Sequence, residues 1–266
     1  MPEDRVAVRV SGAVAEVTLN RPDKLNALDN AMFTALANAA ADLAGRREVR
    51  AVVLSGSGRA FCAGIDLAKL GADADGGSGT IGSIEDRTHG IANLFQQAAW
   101  GWRELPVPVI AGIHGVAFGG GLQIALGADI RIVAPDARLA VMEARWGLVP
   151  DMGGIALLRG LVRDDVAREL TYTARQVSGT EAVALGLATR TADDPRAAAL
   201  ELATQIAAGS PRALRAAKRL FAVSRDADAE AILLAESREQ QDLLTGPDIP
   251  EMLAAHAEGR PPRFAD

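Results

Sequence analysis

Hydrophobic and polar residues alternate near the start of the chain with the period of two that is typical of β-strands. Residues 6–10 and 14–19 are predicted to form the two strands of a hairpin. Over residues 29–43 the period changes, and apolar side chains follow one helical face behind Asp29 as the N-cap. Strand and helix patterns then alternate to about residue 177, which indicates a layered α/β fold.

Two short corners rich in small residues interrupt this alternation. The first, residues 59–67, follows the buried strand pattern of 52–56, and the second, residues 114–123, follows the apolar run 107–111 and contains three successive glycines. Without a Cβ the backbone approaches a ligand closely, and N–H groups at a helix N-terminus have no partner within the helix. Two such corners could supply the N–H donors of an oxyanion hole, although each is also consistent with a simple strand-to-helix turn.

The C-terminal quarter of the chain is rich in Ala, Leu and Arg and has no strand pattern. Ser210-Pro211 marks a helix start, and residues 226–244 are predicted to be another amphipathic helix. We therefore divide the chain into a core, residues 1–195, and a C-terminal helical region, residues 196–266.

Composition and charge narrow the class of protein. The chain has 266 residues, 49% of them hydrophobic, which is ample for a sizeable core. The chain has a single cysteine, Cys62, which fits a reducing compartment. Because the chain starts with polar residues and has no long apolar run, we predict a cytoplasmic protein that does not enter a membrane. The net charge of −6 argues against nucleic-acid binding, and the three histidines lack the spacing of a metal site.

Three motifs give the chain a resemblance to a known family. Residues 20–28 read N-R-P-D-K-L-N-A-L, residues 61–67 read F-C-A-G-I-D-L, and residues 114–121 read H-G-V-A-F-G-G-G. In this order they resemble the crotonase superfamily, that of enoyl-CoA hydratases and isomerases. The resemblance implies an α/β fold in which a β-β-α spiral of stacked sheets is surrounded by helices. It also implies that the C-terminal region builds a homotrimer or homohexamer, the alternative being a helical cap on a monomer.

The same resemblance implies an acyl-CoA thioester substrate, with coenzyme A present only as part of that substrate and no other cofactor or metal. By their position in the motifs, the backbone N–H groups of Ile65 and Gly120 would stabilise a thioester enolate. The segment 71–80 would be either a lid over the acyl pocket or an ordinary surface loop. The predicted CoA-binding residues are Lys24, Leu25, Ala63, Asp66 and Leu67.

The candidate acids depart from the pattern of typical hydratases. Where those enzymes carry two glutamates, this chain has Gln123 and Glu143. Because an amide does not exchange protons near neutral pH, the usual two-glutamate addition of water is in doubt. Asp151 stands where typical hydratases have glycine and dienoyl-CoA isomerases have aspartate.

Structural roles for these acids stay open at this stage. Glu143 could pair with Arg145 or Arg131, and Asp151 could cap a helix that begins near Gly153. The end of the chain also differs from the family pattern E-K-R-x-x-x-F, because a glycine, Gly259, replaces the lysine that reaches a neighbour's CoA phosphate. Either of two arginines could compensate, and these are Arg260 and Arg263.

We therefore predict a double-bond isomerase acting on enoyl- or dienoyl-CoA. Glu143 is its proton carrier, Asp151 a candidate second acid, and Gln123 a supporting residue. The alternative is a hydratase that uses Glu143 and a water oriented by Gln123. A third hypothesis, from a different functional class, is a catalytically weak scaffold that binds acyl-CoA.

Overall fold

Two β-sheets lie at the centre of the molecule. A computed structural model describes residues 4–68 and 84–265, so the predicted loop 71–80 lies outside the described residues. In the larger sheet the strand order is β1-β2-β3-β4-β6-β9, and in the smaller it is β5-β7-β8. The strands are β1 (Val6–Ser11), β2 (Val14–Leu19), β3 (Ala51–Gly56), β4 (Val109–Ile113), β5 (Val116–Phe118), β6 (Ile130–Val133), β7 (Arg138–Ala140), β8 (Val177–Ser178) and β9 (Arg190–Thr191).

Helices surround both sheets. Ten α-helices lie in the described part of the chain, together with two short 3-10 helices, Pro22–Lys24 and Glu143–Trp146. The α-helices are α1 (Asn30–Ala44), α2 (Leu94–Glu104), α3 (Gly120–Gly127), α4 (Gly154–Leu158), α5 (Asp164–Thr173), α6 (Gly179–Leu185), α7 (Pro195–Ala207), α8 (Pro211–Val223), α9 (Ala229–Leu244) and α10 (Asp248–Glu258). This architecture is the α/β class predicted from the sequence.

The first two strands and α1 confirm the predictions from residue periodicity. β1 and β2 pair antiparallel from Val6 opposite Leu19 to Ser11 opposite Val14. At the start of α1 the Asp29 carboxylate accepts a hydrogen bond from the Met32 N–H, so this side chain caps the helix. The helix then buries its apolar face in the main core.

The larger sheet is parallel from β2 to β9 and is covered on both faces. Along β3, Val52 and Leu54 belong to the main core, whereas Ala51 and Val53 pack in a second cluster. That cluster includes apolar side chains of α7, so this helix covers the far face of the sheet. The predicted boundary after residue 195 falls at the first residue of α7.

The C-terminal helices begin where the sequence pattern indicates. Ser210 caps α8 by accepting a hydrogen bond from Ala213, and Asp228 caps α9 in the same way, two residues after the predicted start. No strand follows β9 in the described part of the chain. Among the helices so described, none combines the length and apolar character needed to cross a membrane.

Candidate active site

The two small-residue corners predicted from the sequence meet in space. The first corner, residues 59–67, joins the second, residues 114–123, through a short parallel bridge. In this bridge the Cys62 N–H donates to the Val116 carbonyl oxygen and the Phe118 N–H donates to the Cys62 carbonyl oxygen, each at 3.0 Å. Both corners line one cavity of about 670 Å³. We call their backbone face, formed by residues 64–65 and 119–120, the amide wall.

Missing side chains allow the close approach in this wall. A Cβ built on Gly64 would lie 2.6 Å from the Phe118 carbonyl oxygen and 3.8 Å from the Gly120 nitrogen. A Cβ on Gly121 would lie 2.4 Å from the Cys62 carbonyl oxygen. At Gly119 the φ of +50° adds a backbone conformation that favours glycine. The corners can therefore pack backbone against backbone only because these positions carry no side chain.

The predicted oxyanion donors lie in this wall. Gly120 is the first residue of α3, so its N–H has no acceptor within the helix. The N–H of Ile65 has no acceptor among the hydrogen bonds of residues 4–68 and 84–265, because its neighbours Gly64 and Asp66 form the bonds to Leu28 instead. Both residues line the cavity. The wall can thus offer two backbone donors to a ligand oxygen.

A second set of residues lining the cavity carries polar side chains. Gln123 on α3, Glu143 at the start of the second 3-10 helix and Asp151 in the following loop all line it, and we call this set the carboxylate wall. The Gln123 Nε2 donates a 2.6 Å hydrogen bond to Glu143 Oε1. Glu143 Oε2 is buried and has no hydrogen-bond partner within the described ranges.

The orientation of the Gln123 amide is fixed by two further hydrogen bonds. Its Oε1 accepts from the Met152 N–H at 2.9 Å and from the Gly154 N–H at 2.8 Å. Since the oxygen is occupied by two donors, the nitrogen must face Glu143. A Cβ at Gly154 would lie 2.6 Å from this oxygen, so glycine is needed there for the contact.

Burial changes the acidity of both carboxyl groups. Loss of hydration raises the pKa of Glu143, and the charge of Asp151 raises it further, against the lowering effect of the Gln123 hydrogen bond. Asp151 presents exposed surface at the rim of the cavity, yet the protein atoms around it remove enough water to raise its pKa as well. Glu143 is therefore a buried acid whose proton affinity exceeds that of an ordinary glutamate.

The structural alternatives for these acids do not hold. With Gln123 on one oxygen of Glu143 and no partner on the other, neither Arg131 nor Arg145 pairs with it in the described part of the chain. The Arg131 guanidinium donates to the Leu187 and Ala128 carbonyl oxygens. Helix α4 follows Gly153, and no side chain caps its first turn, so Asp151 is not its cap.

The predicted CoA-binding residues divide into two groups. Ala63, Asp66 and Leu67 line the cavity, whereas Lys24 and Leu25 lie in and just after the first 3-10 helix and are not among its lining residues. The remaining cavity surface is mainly apolar. Its larger apolar side chains are Leu28, Phe33, Ile84, Phe95, Phe118, Met142, Trp146, Leu148 and Met152.

The two arginines at the end of the chain, Arg260 and Arg263, differ in their ion pairs. Arg260 forms ion pairs with Glu251 and Glu258, and the pairing lowers the pKa of Glu251 to about 2. For Arg263 the structure shows only a backbone hydrogen bond to Glu251 and no side-chain ion pair among residues 84–265. Gly259 has a φ of +65° and ends α10, a position that favours glycine over lysine.

The contacts of Cys62 and His114 indicate structural roles for both residues. Cys62 is buried and its Sγ contacts the Asn26 carbonyl oxygen at 3.1 Å, and burial raises the pKa of its thiol to about 12. The ring of His114 is within 3.0 Å of the Gly58 carbonyl oxygen, as expected for a residue that orients the loop. Across the described residues no three His, Cys, Asp or Glu side chains are grouped so as to hold a metal ion.

Sequence reasoning missed the role of two residues in the first motif. Asn26 is fully buried, and its side-chain nitrogen lies within hydrogen-bond distance of the carbonyl oxygens of Ser57, Ala60 and Phe61. Arg21 forms an ion pair with Asp66 at 2.8 Å. These contacts join the first motif to residues that are distant in sequence, so no pattern of neighbouring residues indicates them.

Comparison with known proteins agrees with this geometry. A family model for enoyl-CoA hydratase/isomerase matches residues 9–266. The chain is 30% identical to the short-chain-enoyl-CoA hydratase of Clostridium acetobutylicum, over 98% of this chain and 97% of that one. It is 31% identical to the mitochondrial delta(3,5)-delta(2,4)-dienoyl-CoA isomerase of Homo sapiens, over 96% of this chain and 80% of that one. A crystal structure of an enoyl-CoA hydratase from Bacillus anthracis superimposes with a TM-score of 0.87 at 29% identity, covering 98% of each chain.

Proposed function

Because this chain belongs to the enoyl-CoA hydratase/isomerase family of the crotonase superfamily, we propose that it shifts a double bond within an enoyl- or dienoyl-CoA. Glu143 removes a proton from one carbon of the acyl chain and returns it to another. In a 3-enoyl-CoA the proton leaves C2 and arrives at C4, so the double bond moves into conjugation with the thioester. Atoms and charge balance without a redox cofactor or added water.

The amide wall stabilises the intermediate in this proposal. When C2 loses its proton, negative charge develops on the thioester oxygen. The N–H groups of Ile65 and Gly120 line the cavity and are available to donate to that oxygen. Loss of one such donor typically costs about 3–4 kcal/mol of transition-state stabilisation. Coenzyme A enters only as part of the substrate.

The observation that carries the proposal is the state of the Glu143 carboxyl group. One oxygen is held by Gln123 at 2.6 Å, and the other is buried at the cavity with no partner among residues 4–68 and 84–265. A carboxyl group with one oxygen anchored and one free suits a single proton carrier. Burial raises the pKa of the Glu143 carboxyl group towards neutral pH, where a general acid and base works best.

Gln123 argues for an isomerase over the two-carboxylate addition of water. Its oxygen is fully used by two backbone N–H groups, and its nitrogen donates to Glu143. Such an amide neither accepts nor returns a proton. One N–H of Gln123 has no protein acceptor among the described residues, and this group could orient a water. Together with the similarity to a named hydratase, that observation keeps water addition as the second candidate.

Asp151 bears on which isomerisation occurs. It lines the same cavity as Glu143, and its negative charge is one of the causes that raise the pKa of Glu143. Two acids on one wall could remove and deliver a proton at more widely separated carbons of a dienoyl chain. We therefore include dienoyl-CoA among the substrates.

The test is product analysis in ¹⁸O-labelled water with three purified substrates, a 2-trans-enoyl-CoA, a 3-enoyl-CoA and a 3,5-dienoyl-CoA. Mass and double-bond position are followed for the wild type and for Glu143→Gln. Glu201→Gln, an exposed glutamate on α7, is the matched control.

A shifted double bond without oxygen uptake, lost in Glu143→Gln and kept in Glu201→Gln, is the expected result. Incorporation of ¹⁸O into a 3-hydroxyacyl product from the 2-enoyl substrate would instead establish the hydratase. Turnover that survives Glu143→Gln would contradict both. Binding without turnover of any substrate would leave the scaffold reading.

We further propose that the protein is a homotrimer or homohexamer assembled through its C-terminal helices. No residue of α9 is buried within the single chain. Large apolar side chains are exposed along these helices, among them Phe221 at 70%, Leu253 at 67% and Leu233 at 61%. Surfaces of this kind mark protein interfaces. Light scattering on the purified protein tests the assembly, and a monomeric mass would contradict it.

A further inference from the structure

The direction of the Ile65 N–H is set by a short bridge to a neighbouring loop. The N–H of Leu28 donates to Gly64 at 2.8 Å, and the N–H of Asp66 donates to Leu28 at 2.9 Å. In such a parallel bridge the residue between the two bonded groups turns its own N–H to the opposite side. The Ile65 N–H is therefore directed away from Leu28. The adjacent Gly64 lies close to the second corner, since a Cβ built on it would be 3.8 Å from the Gly120 nitrogen.

The loop on the other side of the bridge, residues 25–28, has a backbone that must itself be held in place. Leu25 and Asn26 have φ values of +51° and +57°, a left-handed conformation that non-glycine residues rarely adopt. The buried Asn26 side chain accepts a hydrogen bond from the Arg21 N–H at 2.8 Å. These two residues occupy a strained conformation, which persists only where surrounding contacts determine it.

A single guanidinium group joins the two sides of the bridge. Arg21 Nη1 donates to the Ala27 carbonyl oxygen at 3.0 Å and forms an ion pair with Asp66 Oδ2 at 2.8 Å. Ala27 lies in loop 25–28, and Asp66 is adjacent to Ile65. The two side chains are only 14% and 17% exposed, so water screens their interaction less than at an open surface.

The contacts of Arg21 also explain the lowered pKa of the Asp66 carboxylate. The hydrogen bond from Arg21 is the main reason why the pKa of Asp66 is lowered, and its other oxygen accepts from the Ala68 N–H at 3.2 Å. Both oxygens are thus engaged within the corner. Arg21 is not among the residues that line the cavity, so it acts on the site through Asp66.

We propose that Arg21 and Asp66 form a clip that positions the Ile65 N–H as an oxyanion donor, with Asp66 acting on the corner and not as a ligand for CoA. The inference rests on the proposed function, because it assumes that Ile65 donates to the thioester oxygen. Arg21 is a positioning residue and touches no substrate. Misplacement of a catalytic group by about 1 Å can cost on the order of a hundredfold in rate.

The test uses Asp66→Asn, Arg21→Met and Arg21→Lys. Asp42→Asn is the matched control, because it breaks an exposed ion pair between Asp42 on α1 and Arg46 just after that helix. The first readout is the separation of kcat from KM with the preferred substrate. The second is the fraction of bound acetoacetyl-CoA present as its enolate, measured by near-ultraviolet absorbance at saturation. That fraction reports the strength of the oxyanion donors and does not depend on Glu143 turnover.

Asp66→Asn and Arg21→Met are expected to lower kcat by about tenfold or more, with little change in KM and a smaller bound enolate fraction. Arg21→Lys keeps the charge and should recover part of both. If Arg21→Met does not fold, the isosteric Asp66→Asn still gives both readouts.

Wild-type kcat and enolate fraction in Asp66→Asn would overturn the clip alone. A rise in KM with an unchanged enolate fraction would also overturn it, because Asp66 would then be a binding residue. If the wild type itself forms no bound enolate, the oxyanion hole and the clip fall together.

Discussion

The amide wall and the carboxylate wall face the same cavity but hold their polar groups in different ways. The amide wall is made of backbone, and its shape depends on positions where a Cβ would lie under 3 Å from another backbone or side-chain atom. In the carboxylate wall side chains carry the polar groups, and Gln123 orients Glu143 through hydrogen bonds. One wall is therefore sensitive to added volume and the other to changed charge.

The two walls also differ in how their polar groups affect the stability of the protein. The N–H groups of the amide wall are polar but uncharged, so leaving them without a protein partner at the cavity costs less free energy than burying a charge. The carboxylate wall keeps an ionisable group in a buried position, which raises the pKa of Glu143. We expect substitutions in the amide wall to lower activity through geometry. In the carboxylate wall they should alter activity, pH dependence and stability together.

The largest effect is expected for Glu143→Gln. The amide keeps an oxygen that can accept the Gln123 hydrogen bond but cannot carry a proton, so kcat should fall by about 10²–10⁴-fold. Steady-state kinetics with the preferred substrate measure this loss, with Glu201→Gln as the control. A loss of less than tenfold would mean that Glu143 does not carry the proton.

The amide wall is tested by Gly120→Ala. The new Cβ would lie 2.7 Å from Met152 Sδ and 2.8 Å from Leu28 Cδ1, both of which are ends of flexible side chains at the cavity. These can move, so the protein should fold, but the tilt of the donor should lower kcat by about 10²-fold. Gly45→Ala, whose Cβ would meet only the Asp42 oxygen at 3.5 Å, is the control. Wild-type kcat in Gly120→Ala would remove this amide from the mechanism.

A smaller change, in pH dependence, is expected for Gln123→Glu. The substitution sets two carboxyl groups about as close as the present 2.6 Å contact, where both cannot be ionised together, so one pKa rises. The rising limb of the kcat profile should move to higher pH, and activity at pH 7 should fall about tenfold. An unchanged profile, matching that of the exposed Gln241→Glu control, would show that the two groups do not interact.

The smallest effect is a gain in stability in Glu143→Gln. Because the folded-state pKa of Glu143 lies above its ordinary value of 4.5, its contribution to the free energy of unfolding is present below pH 4.5 and is lost as the pH rises through the folded-state pKa. The variant should therefore melt about 2 °C higher at pH 7 and the same as wild type at pH 4. Thermal unfolding at both pH values checks this. A variant that is less stable at pH 7 would contradict the buried charge.

Much of the local structure follows from the sequence. The hairpin, α1 with its Asp29 cap and the Ser210 start of α8 are set by periodicity and capping chemistry over a few residues. The apolar run 107–111 overlaps a strand that the structure places at Val109–Ile113. The glycine corners could also be singled out by their runs of small residues, whereas Glu143 is singled out by its position in the family pattern.

What the sequence by itself determined is the α/β class, several local elements and the family motifs, which are encoded by neighbouring residues, and the candidate acids, which follow from the position of those motifs. Only the tertiary structure decided that Gln123 faces Glu143, that Asp151 does not cap α4 and that Arg21 binds Asp66. These contacts join residues 20 to 45 positions apart, or depend on which donors occupy an oxygen. Such choices are made by packing and hydrogen-bond competition across the fold, and periodicity along the chain does not record them.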